Sequence, residues 1–194
     1  MRRRTFDVVA TIAGLVLAVV LAIGGGLLLW GHSVVNTDVH NQLAAQKIVF
    51  PAAGSPEITA LPAADATAMR AYAGQTMTTG AQAQAYADHF IGVHLGEIGG
   101  GKTYAQLSAA ALAQPHNTKL ADQVATIFKG TTLRGMLLNA YAFWQMGVIA
   151  LWGAIVTFIG AGLLLVLSIL GFVHASRVSP AAEFMPKYPE KASA

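Results

Sequence analysis

Residues 8–30, VVATIAGLVLAVVLAIGGGLLLW, run for 23 positions without a charge, and about 20 apolar residues suffice to carry a helix across the hydrocarbon core of a bilayer. The stretch predicts a transmembrane helix from Val8 to Trp30. Arg2, Arg3 and Arg4 also fit the basic start of an export signal, and Arg3-Arg4-Thr5-Phe6 its twin-arginine form. Export signals, however, have apolar cores of about 7–15 residues and a small-x-small cleavage site. This run is longer and Leu27-Leu28-Leu29-Trp30-Gly31-His32 holds no such site, so an uncleaved anchor is expected.

A second charge-free run, residues 145–173, follows Tyr141, Phe143 and Trp144, amphipathic rings of the kind that gather at a membrane interface. Its excess over the minimum length predicts a tilted second span. Composition agrees with two spans. Charged residues make up 11% and hydrophobic ones 55% of the 194 residues, with a mean hydropathy of +0.54. An average soluble domain carries about a quarter charged residues, so an ordinary cytosolic enzyme, a disordered acidic segment and a polybasic nucleic-acid arm are all excluded. Cysteine is absent, which excludes disulfide scaffolds, thiolate metal sites and thiol catalysis.

Charge by segment gives the orientation. Residues 1–7 carry three Arg against Asp7, residues 31–144 carry six basic and six acidic side chains, and residues 174–194 carry Arg177, Lys187 and Lys191 against Glu183 and Glu190. By the positive-inside rule both termini face the cytoplasm. The expected organisation is therefore a cytoplasmic N-terminus (1–7), a first span (8–30), an extracytoplasmic domain (31–144), a second span (145–173) and a cytoplasmic tail (174–194), in the cytoplasmic membrane.

The extracytoplasmic part reads as helical. Val35, Val39 and Leu43 recur every four residues, extending the first helix to about Gln46, and Lys47 to Phe50 run extended into Pro51. Pro51 to Pro62 is a loop, a short helix follows to Ala73, and a longer one after Gly80 carries Ala83, Tyr86, Phe90 and Val93 on one stripe up to Gly99-Gly100-Gly101. Thr103 with Gln106 forms a capping box for the next helix. Gln114-Pro115-His116 stops it, Asn117 caps another, Gly130 interrupts that one, and from Thr132 helix runs into the second span. The fold class is thus an all-α membrane protein, two transmembrane helices flanking a small helical extracytoplasmic domain.

Four patterns bear on chemistry. Gly96-Glu97-Ile98-Gly99-Gly100-Gly101-Lys102-Thr103 satisfies G-x-x-x-x-G-K-[ST], but a phosphate loop needs a buried strand before it and a second magnesium ligand, and here a helix precedes it. A glycine turn before a capped helix accounts for every residue except Lys102. His89, His94 and Glu97 share one helix, yet at about 100° per residue His89 and His94 diverge by about 140° and cannot bind one metal together. A metal would need help from His40, Asp88 or His116. Haem between histidines is disfavoured because His32 and His174 flank opposite ends of the spans.

The fourth pattern is in the spans. Ala10, Gly14, Ala18, Ala22 and Gly26 repeat every four residues on the first, and Gly153, Thr157 and Ala161 on the second. Small residues at that interval let helix backbones approach closely. In a straight helix such a stripe drifts by about 40° per step, so it must wind round a neighbour as a right-handed crossing or serve two neighbours. These eight residues are the expected packing interface. Both spans lack Asp, Glu, Lys, Arg and His, the residues that mark ion paths, so transport by this chain alone is not expected.

LAAQK (43–47), AQAYADHF (83–90), EIGGGKTYAQ (97–106), LRG (133–135) and LNAYAFW (138–144) together resemble an uncharacterised family of actinobacterial two-span membrane proteins. The resemblance covers nearly the whole chain outside the proline-rich loop and the tail. Many members are labelled aromatic ring-opening dioxygenase, after the small subunit of a protocatechuate-type extradiol enzyme, in which the iron and its ligands belong to a different, soluble subunit. The resemblance therefore implies fold and topology and carries over no catalytic residue. The resulting expectation is a non-catalytic membrane protein without a cofactor. It acts through assembly in the lipid, as a homo-oligomer or an accessory subunit of a larger membrane complex, with neither nucleic acid nor nucleotide as partner. The alternatives are a dioxygenase-type metal enzyme and an extracytoplasmic ligand-binding sensor.

Overall fold

A computed structural model describes residues 3–179; the 174–194 tail expected from the sequence lies outside the described residues beyond Ser179. The described chain is all-α. Its helices are α1 (Arg3–Ala45), α2 (Pro56–Thr59), α3 (Ala63–Arg70), α4 (Gly80–Tyr86), α5 (Gly92–Gly99), α6 (Tyr104–Leu112) and α7 (Thr118–Arg177), with a π-helical turn at Ala87–Ile91 joining α4 to α5. α1 and α7 have 43 and 60 residues, and each contains a window long and apolar enough to cross a membrane. The described chain divides into two compact units, one made of the residues up to 31 with those from 150 onward, the other of residues 32–149.

The first unit is an antiparallel helix pair. Thr11 lies against Gly171, Gly14 against Ser168, Leu21 against Gly160, Gly25 against Thr157 and Leu28 against Gly153, so the partner number falls as the α1 number rises. Along α1 the inward positions are Thr11, Gly14, Ala18, Leu21 and Gly25; along α7 they are Ala154, Thr157, Ala161, Leu164, Ser168, Gly171 and Ala175. Both series alternate steps of three and four. That average of about 3.5 residues is the period of a left-handed coiled coil, and it keeps one seam facing the partner along the whole pair. Gly, Ala, Ser and Thr in the seam bring the backbones close.

The second unit holds the larger core. Val39 and Leu43 of α1, Leu137 of α7, and Phe50, Ile58, Met69, Met77, Ala83 and Ile91 from between them form one buried cluster. Phe50, Ile58, Met69 and Met77 are fully buried, each contributing about 1.5–3 kcal/mol of transfer free energy. The extended stretch expected before Pro51 is present from Ile48, whereas Lys47, with φ of 53°, is left-handed and closes the turn after α1: Met77 N–H donates to Ile48 O (2.8 Å) and Phe50 N–H to Gln75 O (2.9 Å), with an isolated antiparallel bridge between Val49 and Thr76. These bonds fix Phe50 so that its ring meets Tyr72 at 5.4 Å and Tyr86, edge to face, at 5.3 Å.

Two further local expectations change. The loop from Pro51 to Pro62 contains a helical turn, α2, with Pro56 at its start, where a missing N–H costs nothing. Gly130 does not interrupt α7: the helix passes straight through it, and a Cβ there would stand 2.5 Å from Leu95 Cδ2. The glycine serves close packing of α5 on α7 rather than a break.

Candidate functional site

In the helix pair the sequence-selected small residues divide. Gly14, Ala18, Thr157 and Ala161 lie in the seam within this chain and Gly153 beside it, against Leu28, whereas Ala10, Ala22 and Gly26 are exposed, and a Cβ on Gly26 would have nothing within 4 Å. The stripe with a four-residue interval therefore leaves the seam at both ends, because the seam steps by three and four. Thr11, Gly25, Ser168 and Gly171 complete the contact and carry no four-residue signature. Thr11 Oγ donates to Asp7 O (2.7 Å) and Thr157 Oγ to Gly153 O (2.7 Å); each hydroxyl is satisfied on its own helix, and its oxygen is the Thr atom nearest the facing glycine, Gly171 or Gly25. At one end of the pair Asp7 Oδ2 lies 3.8 Å from His174 Nε2.

The outward faces of the pair are apolar. Trp30 and Trp152 are 68% and 63% exposed, and Val16, Val20, Ile23, Leu27, Val156, Ile159, Leu163 and Leu167 all stand outside. Only 11% of each apolar window is buried.

The glycine-lysine motif is a helix terminus followed by a capped start. Gly100 and Gly101 are left-handed, with φ of 57° and 75°. Gly100 N–H donates to Glu97 O, Gly101 N–H to Gly96 O (2.8 Å) and Lys102 N–H to Gly99 O, while Thr103 N–H donates to Gln106 Oε1 (2.8 Å). In return Thr103 Oγ accepts from Gln106 N–H, closing the expected capping box. The amides that a phosphate loop would turn toward its ligand thus donate within the turn.

The histidines are separated. His89 Nδ1 meets Asp65 Oδ1 on α3 at 2.7 Å, and His94 Nδ1 meets Phe90 O at 2.7 Å; His40 and His116 are exposed elsewhere. His32 Nδ1 meets Gly147 O at 2.8 Å. Among the described residues no three His, Asp or Glu side chains come together to hold a metal.

An arrangement invisible in the sequence surrounds the π-turn. There the extra residue sends Gly92 N–H to Ala87 O, five positions back, a widening often found at functional places. Arg134 of α7 donates from Nε to the same Ala87 O (3.1 Å) and from Nη2 to Asp88 Oδ1 (2.6 Å). Beside it, burial of Tyr86 against Phe50 and Phe90 raises its phenol above the ordinary value. Arg134 and Asp88 stand 46 positions apart, so only the fold pairs them.

No family model matches this chain, and neither a curated protein nor a solved structure matches it significantly.

Proposed function

We propose that the chain is a two-pass protein of the cytoplasmic membrane that performs no catalysis and acts through assembly, as a homo-oligomer or as an accessory subunit of a larger membrane complex. The carrying observation is the inversion of the helix pair: small and hydroxyl-bearing residues face inward and large aliphatic side chains face outward. In water so extensive an apolar surface drives aggregation, while in lipid it is the matched solvent and association falls to backbone proximity at small residues. Residues 8–30 and 145–173 then span, 31–144 form an extracytoplasmic helical domain, and both termini are cytoplasmic, as the Arg2 to Arg4 cluster favours. Assembly draws support from Ala10, Ala22 and Gly26, small residues on the outward side of α1 that the chain's own second helix leaves uncovered.

The test uses single cysteines at Ser55 and Ser179 in intact cells treated with an impermeant maleimide. Labelling of Ser55→Cys alone is the expected result, and labelling of Ser179→Cys alone defeats the orientation. For assembly, Ala22→Leu and Gly26→Leu should reduce the particle size in mild detergent; particles of one chain in the native protein would defeat that part of the reading.

A further inference from the structure

Within the second unit, α1 and α7 frame a groove of about 450 Å³, within the range of small-molecule sites. Val39 is buried at its base, Val35 and Ala140 are half-buried beside it, and Phe143 stands exposed as a wall. Three side chains with acceptor oxygens line the same groove: Asp38, Gln42 and Asn139. Asp38 and Gln42 are one helical turn apart and so share a face of α1, with Asn139 supplied by α7. Asp38 belongs to none of the ion pairs among the described residues, which join His89 to Asp65, Arg134 to Asp88 and His174 to Asp7. Like Gln42 and Asn139 it is exposed, so its carboxylate at the edge of an apolar groove is open to a cationic group carried on an apolar body.

We propose that this groove takes the primary-ammonium headgroup of an aminophospholipid. An ammonium has three N–H donors and no acceptor. Asp38 supplies the countercharge and one acceptor, and the carboxamide oxygens of Gln42 and Asn139 supply the other two. The Phe143 ring adds a face of the kind that attracts cations, and Val35, Val39 and Ala140 receive the carbon skeleton. Along α1 the lining residues follow the charge-free run 8–30 in the order Val35, Asp38, Val39 and Gln42, and Met136 of α7 adds a further apolar side chain. The inference rests on the membrane reading above, since a lipid reaches the groove only if that run lies in a bilayer.

The experiment is native mass spectrometry of the full chain in detergent micelles titrated with phosphatidylethanolamine, phosphatidylcholine or phosphatidylglycerol. Phosphatidylcholine keeps the positive charge but has no N–H, and phosphatidylglycerol has no cation. One phosphatidylethanolamine per chain, held about tenfold more tightly than either other lipid, is expected from charge-assisted hydrogen bonds. Asp38→Asn should bring the three lipids within about twofold of one another, and Asp122→Asn, an exposed acid outside the groove, should leave the preference intact. Equal binding of the three lipids by the native chain, or an undiminished preference in Asp38→Asn, overturns the proposal. Displacement of the lipid by an equal concentration of soluble glycerophosphoethanolamine overturns the lipid as occupant. Extraction of cell membranes with alkaline carbonate separates the two readings. Retention in the pellet without lipid preference defeats this inference alone, while release into the supernatant defeats both.

Discussion

Arg134 grips the carbonyl oxygen of Ala87, donating from Nε at 3.1 Å to an oxygen that also receives the Gly92 N–H across the π-turn. One side chain of α7 thus satisfies the widened backbone and pairs with Asp88 beside it. The Arg134 and Asp88 side chains are 40% and 34% exposed, so the ion pair itself is screened and contributes little. The bond to the carbonyl carries more of the effect, since a planar guanidinium fixes two partners at once and an ammonium cannot. Arg134→Lys should therefore lose nearly as much as Arg134→Leu, about 1 kcal/mol in each case, read as a fall in thermal midpoint in detergent. Hydrogen exchange at Gly92 should quicken in both variants. A lysine variant indistinguishable from the native protein would show that charge alone matters there.

The helix seam predicts a sharp contrast between neighbouring positions. A Cβ on Gly171 would collide with the Thr11 side chain, and one on Gly14 would come within 2.8 Å of Ser168 Oγ. Gly171→Leu and Gly14→Leu should destabilise the pair by about 1–3 kcal/mol through overpacking, while Val16→Leu, on the outward face, should change stability by less than about 0.5 kcal/mol. Unfolding of the full chain in mixed micelles reads the difference. If Ala22→Leu alters particle size but not unfolding, association between chains and packing within one chain reside on different faces of α1, as the exposure of Ala22 requires.

The pattern of what the sequence revealed follows from the range of each interaction. Residues 8–30 and 145–173 declare helices of membrane length because hydropathy is a local sum, and Thr103 with Gln106 declares a cap because both partners lie within one turn. The seam was only half legible. Gly14, Ala18 and Thr157 stood out as small residues at intervals of four, but the true period admits Thr11 and Ser168, polar residues that a search for glycine and alanine passes over. Alternating steps of three and four, with hydroxyl residues counted as small, trace all of it except Leu21 and Leu164. The π-turn left no trace, since AQAYADHF has the periodicity of an ordinary helix, and the register shift appears only where Arg134 arrives from a distant helix. Asp65 and His89 meet for the same kind of reason, 24 positions apart with their contact set by the core beneath them.

The glycine-lysine segment separates conformation from side-chain chemistry. At Gly101, φ is 75°, and an alanine forced into the left-handed region costs roughly 1–2 kcal/mol. Thr103→Ala removes the cap and should cost about 1 kcal/mol. Lys102 is exposed, so Lys102→Ala should stay within about 0.5 kcal/mol of the native protein. Saturable ATP binding that vanishes with Lys102→Ala would restore a nucleotide role to the motif, and a Lys102→Ala cost above that of Thr103→Ala would reverse the ranking.

Tyr86 makes stability depend on pH at the alkaline end. Burial raises its phenol above the ordinary value, and the free phenol titrates near pH 10. Below that pH both folded and unfolded chains keep the proton, and the full stability is present. As pH climbs past about 10 the unfolded chain ionises first, because only there is the phenolate fully hydrated, and the folded state loses ground until its own higher value is passed. Tyr86→Phe keeps the ring that meets Phe50 at 5.3 Å and Phe90 at 4.8 Å, so it should fold with nearly native stability at neutral pH. Thermal midpoints of the two proteins should then run parallel up to about pH 9 and diverge above it, the native protein falling faster. Every other side chain is the same in both proteins, so its effect cancels in the difference. Parallel curves through pH 11 would mean that the Tyr86 hydroxyl reaches solvent freely, and that the aromatic stack between Phe50 and Phe90 does not desolvate it.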